Sequence, residues 1–105
     1  MTKYKVSNSY TTEFFNNLNE VTNYIRYTVS DEAIIDLLDD IYGPVRIGSL
    51  TYSAGNIIYK MDRLTFNKSK DEYVNGLLLD MKYDIEEQGE EEVYYLGYTI
   101  QVIED

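Results

Sequence analysis

The stretch SDEAIIDLLDDIYGPVRIGSLTYS, residues 30–53, decides the fold. In its first half Ile34, Leu37, Leu38 and Ile41 recur at helical spacing, so that a turn of about 100° per residue brings them to one face. Ser30 suits a helix N-cap, Asp31 and Glu32 suit a first turn, and Gly43-Pro44 supplies a stop. The period then changes. VRIGSLTY (45–52) alternates around Gly48-Ser49, a pair suited to a two-residue turn that opens on glycine. A helix running into a small hairpin or a bulged strand points to an α+β fold.

Downstream, Ser53 can cap a short helix carrying Ile57, Ile58 and Met61. Asp62 can cap a long one with Leu64, Phe66, Tyr73, Leu77, Met81 and Ile85 along its side, ending by Gly89. A rival start lies at Ser69, where Glu72 three residues on completes a capping box. In EVYYLGYTIQVI (92–103), Tyr98, Ile100 and Val102 share one strand face and Leu96-Gly97 allows a turn or bulge. Upstream, residues 3–8 suit a short edge strand or arm. From Thr12, the spacing of Phe14, Leu18, Val21 and Ile25, widened by Phe15, predicts a helix whose outer side is rich in Asn. The expected layout is ααβ(β)ααββ: about four helices packed on a small antiparallel sheet, in a single domain spanning 1–105.

Composition narrows the chemistry. The chain has no Cys and no His, which excludes disulfide scaffolds, the usual zinc sites, Ser-His-Asp triads and imidazole acid–base steps. No Gly-rich phosphate loop and no calcium loop is present, and Asp80-Met81-Lys82 falls on a helical pattern where a nuclease site needs a strand. The expectation is a protein that is not an enzyme and takes no cofactor and no metal. No stretch approaches the roughly 20 apolar residues of a membrane span, so no membrane association and a cytoplasmic location are expected. Twelve Tyr and three Phe without Trp indicate rings tied to buried acceptors or shown at an interface, with more than half serving the fold.

Nineteen acids against nine bases give a net charge of −10, which disfavours direct nucleic-acid binding and favours a basic partner. Glu32, Asp36 and Asp40 are spaced i, i+4, i+8, with Asp39 beside them, opposite the apolar stripe. Successive members rise about 6 Å along the helix, close to the roughly 6–7 Å between phosphates of one nucleic-acid strand. Residues 31–42 hold five acids and no base, and Asp39 and Asp40 stand in the last turn, where the macrodipole disfavours anions. The pattern repeats at Asp84, Glu86, Glu87, Glu90, Glu91 and Glu92, next to Tyr94. Acids placed against local stability mark these residues as candidates for partner binding.

The segment VRIGSLTYSAGNIIYKMDRLTFNKSKDEYVNGLL (45–78) resembles one in small acidic proteins of phages and mobile elements of Firmicutes. The matching positions are Ile47, Gly48, Leu50, Tyr52, Met61, Asp62, Phe66 and Tyr73, with Arg63 replacing a proline. That resemblance carries no functional residue. In composition the chain is similar to anti-CRISPR inhibitors and other DNA-mimic anti-defence proteins. The expectation is an inhibitor whose acidic, Tyr-rich surface occupies the nucleic-acid groove of a CRISPR effector or restriction enzyme. The alternative is a structural or interaction module that forms a homodimer, pairing its final strand edge-to-edge or packing its tyrosines together.

Overall fold

The computed structural model describes residues 2–104. Its elements run β1 (Thr2–Ser7), β2 (Thr12–Phe15), α1 (Leu18–Thr28), α2 (Asp31–Tyr42), β3 (Pro44–Ile47), β4 (Leu50–Ser53), α3 (Ala54–Met61), α4 (Arg63–Glu86), β5 (Glu92–Tyr95) and β6 (Tyr98–Glu104). The class is α+β, as expected; residues 3–8 do contribute a strand, β1, and β2 is additional to the expected layout. Two compact units form, Met1–Val29 with Val74–Asp105, and Ser30–Tyr73.

The first unit holds an antiparallel sheet in the order β2-β1-β6-β5. Two expectations are corrected here. Residues 3–8 are no edge, because β1 is hydrogen-bonded to β2 on one side and β6 on the other. Thr12–Phe15 is strand, not helix, because Asn8 folds the chain back: its Oδ1 accepts the N–H of Tyr10 and of Thr11, each at 2.8 Å. Over four residues, strand and helical periods fit the same apolar pattern, and pairing with β1 decided between them. The helix starts at Leu18, where Asn17 Oδ1 accepts the Glu20 N–H at 2.9 Å.

The register pairs Tyr4 with Val102 and Val6 with Ile100, so these four share the inward face of the sheet. Val6 and Ile100 are fully buried, as are Val21 and Ile25 of α1. Tyr24 of α1 lies 5.1 Å from the Phe15 ring and 5.9 Å, edge-on, from Tyr98, whose hydroxyl shares a 2.8 Å hydrogen bond with Thr28 Oγ1. From α4 come Val74, Leu78, Met81 and Ile85, buried at intervals of four, three and four. Leu96 (φ 55°) and Gly97 (φ 88°) form the two-residue turn between β5 and β6 with both residues left-handed, so no bulge is needed.

In the second unit, Ile47 faces Leu50 across the Gly48-Ser49 turn, with Gly48 at φ 62°. The β3-β4 hairpin therefore forms a sheet of its own. Ser53 caps α3, its Oγ accepting the Asn56 N–H at 3.1 Å, and Asp62 caps α4 by accepting from the Thr65 N–H at 3.1 Å and its hydroxyl at 2.7 Å. Asp62 is thus the helix start, and Ser69 and Glu72 lie inside the helix. Phe66 is fully buried, edge-on to Tyr59 at 4.9 Å, with the Arg63 guanidinium 3.8 Å above the Tyr59 ring. Leu64 and Met61, expected in the core, are exposed, and Ile41 is exposed at the end of α2.

Candidate interaction surface

On α2, Ile34 and Leu38 point into the core while Glu32, Asp36 and Asp40 are exposed. None of the three carboxylates accepts a hydrogen bond or forms an ion pair among the described residues, and each lies one turn from the next. Asp31, outside this row, pairs with Lys70 Nζ at 3.0 Å.

Asp39 leaves the row. It is half-buried, and its Oδ1 accepts from Ser53 Oγ at 2.6 Å and the Gly55 N–H at 2.8 Å. The Ser53 hydrogen bond, then that of Gly55, holds the Asp39 carboxyl below the usual carboxylate range. Gly55 permits this approach, since a Cβ there would fall within 2.9 Å of Ile35 Cα. The charge that looked misplaced at the end of α2 therefore sits at the favourable start of α3. What remains is a single line of carboxylates.

The acids after α4 divide in the same way. Asp84, half-buried, accepts a short hydrogen bond from the Tyr95 hydroxyl. That bond, followed by burial and the nearby charges of Asp84 and Asp80, pushes the Tyr95 phenol up to about 12. Glu92 accepts from Gln101 Nε2 at 2.9 Å across the strands. Burial, then the charges of Glu86 and Glu104, raises the Tyr4 phenol above its ordinary value. Glu86, Glu87, Glu90 and Glu91 are exposed, around a turn in which left-handed Gly89 lets the Glu90 N–H return to the Asp84 carbonyl at 3.0 Å. Tyr94 is 70% exposed on the outer face of β5, with Thr99 opposite.

Sequence reasoning missed the apolar face of the hairpin. Alternation marks a strand, but without knowing what lies over it the exposed side cannot be chosen. The register puts Val45, Ile47, Leu50 and Tyr52 on one face, where Ile47 is 63% and Leu50 57% exposed. Thr51, Tyr52 and Ser53 line both of two shallow grooves of about 320 and 430 Å³, the second also lined by Ile57 and Met61. Half of the tyrosines, not fewer, are exposed: Tyr10, Tyr27, Tyr42, Tyr52, Tyr83 and Tyr94.

The carboxylates are spread as surfaces, and among the described residues no three acids gather as ligands for one ion. No helix among them is long and apolar enough to cross a membrane. The final strand offers no edge for dimer pairing, since β6 lies between β1 and β5. No family model matches the chain, and no curated protein or solved structure matches it either.

Proposed function

We propose that the protein is a non-catalytic inhibitor of the anti-defence kind, an acidic decoy that occupies the basic nucleic-acid groove of a CRISPR effector or restriction enzyme. The observation that supports it is the unpartnered row Glu32, Asp36 and Asp40 along α2. With Asp39 withdrawn, the row is one file of charges about 6 Å apart, the pitch of backbone phosphates that a Lys/Arg groove accommodates. A row of charges alone yields little net affinity in water, because exposed ion pairs are screened. The exposed apolar hairpin residues of the same unit, Ile47, Leu50 and Tyr52, supply surface whose burial would stabilise a complex.

The test is capture of a basic nucleic-acid-binding protein from host lysate by the tagged full chain, followed by competition with duplex DNA. Capture should be displaced by the DNA and weakened about tenfold or more between about 50 and 200 mM salt. The triple change Glu32→Gln, Asp36→Asn, Asp40→Asn should weaken it about tenfold or more. Binding unchanged by the triple change would reduce the row to a solvated helix face. The homodimer reading now rests on the exposed tyrosines, against the self-repulsion of a −10 chain. A monomer by light scattering at high micromolar concentration removes it.

A further inference from the structure

The Asn-rich side of α1 faces the Val74–Glu86 part of α4 across a groove of about 520 Å³. The two helices meet there head to tail. Arg26 Nε donates to Asn75 Oδ1 at 3.3 Å and its Nη1 to Asn23 Oδ1 at 3.1 Å, while Lys82 Nζ donates to Asn19 Oδ1 at 3.3 Å. Each helix thus contributes a cation seven residues after an Asn, and each cation meets the other helix's Asn.

Arginine and lysine only donate, so the amide atom facing them is the oxygen. The three amide oxygens are turned to the cations, and the three NH₂ groups have no protein acceptor among the described residues. The buried Thr22 hydroxyl is already bonded to the Asn19 carbonyl at 2.9 Å. With the remaining N–H bonds of Arg26 and Lys82, the groove is dominated by donors.

Among the described residues no carboxylate lines it, although the chain has nineteen, and neither cation forms an ion pair with them. Asp80 and Asp84 project from the far side of α4, at about 100° per residue, and Glu86, one turn beyond Lys82, does not reach the lining. Neutral amides stand where acids would neutralise the site.

We propose that this groove binds a small oxyanion, the phosphate or carboxylate group of a small molecule. Acceptor-only oxygens match converging N–H donors, and charge-assisted hydrogen bonds to Arg26 and Lys82 supply the attraction. The volume lies within the roughly 300–1,000 Å³ of small-molecule sites. The chain's net negative charge repels polyanions and restricts the occupant to a compact ligand. The site involves none of the α2 carboxylates and stands or falls independently of the proposed inhibition.

The test uses the full chain labelled with ¹⁵N, at constant ionic strength, titrated separately with inorganic phosphate, succinate and glucose. Phosphate, succinate or both should shift the side-chain NH₂ signals of Asn19, Asn23 and Asn75 saturably, and the stronger binder identifies the oxyanion. Arg26→Gln and Lys82→Gln should each weaken that binding roughly tenfold or more, while Lys68→Gln leaves it unchanged. Unaltered backbone spectra confirm that the variants fold. The proposal is overturned if neither anion gives a saturable shift, if glucose moves the same amides as strongly, or if Arg26→Gln binds as the wild type does.

Discussion

Asp39 accepts from Ser53 Oγ and from the Gly55 N–H, so its charge is tied to the start of α3. A carboxylate whose folded pKa is depressed contributes stability above its unfolded pKa and loses it as pH falls through the lowered value. Asp39→Asn should therefore melt below wild type at pH 7, and the gap should close as the pH drops below about 4. A gap that persists unchanged in acid would assign the loss to shape. Tyr95 behaves in the opposite sense: its raised phenol stabilises the fold below the ordinary value near 10, and that contribution disappears as pH rises toward about 12. Tyr95→Phe should cost about 0.5–1.5 kcal/mol at neutral pH by urea melts and remove the last-titrating phenol from the alkaline absorbance titration. Gly55→Ala sets two effects in opposition. Alanine gains up to about 1 kcal/mol of helix propensity, but its Cβ meets the Ile35 backbone, and such overpacking costs about 1–3 kcal/mol. A net loss in urea melts is expected.

At the scale of elements, α2 carries a conflict between stability and use. Asp40 is exposed near its C-terminus, where the macrodipole disfavours an anion and where Asp36 is a like-charged neighbour one turn away. Asp40→Lys should raise stability by about 0.3–1 kcal/mol while weakening capture of the basic partner. A variant that gains stability and keeps its partner would show the row to be incidental. The legible elements were those whose signals are local: Ser30 and α2, the Gly48-Ser49 turn, Ser53 and α3, and the Asp62 cap. The β1-β2 pair was not legible. Its residues belong together through the Asn8 turn and the partner strand β6, which follows in sequence by some ninety positions.

For the whole molecule, charge is the dominant feature. Ser30–Tyr73 carries eight acids and five bases and the rest eleven and four, net −3 and −7, so both units repel themselves. Added NaCl screens this over a Debye length of about 10 Å at 0.1 M, so the melting temperature at pH 7 should rise with salt while partner capture falls. Opposite slopes in one salt series separate self-repulsion from recognition; parallel slopes would contradict the decoy reading. Composition and short-range period were sufficient to determine the acidity, the lack of His and Cys, the α+β class and the carboxylate row, because each depends on residue type or on neighbours within a turn or two. Tertiary structure decided which acids are free. Asp39 and Asp84 find donors on other elements, β1 becomes an inner strand, and Arg26 and Lys82 meet amides across two helices. Those pairings join residues far apart in the chain, and no spacing rule along the sequence records which distant partner a side chain will meet.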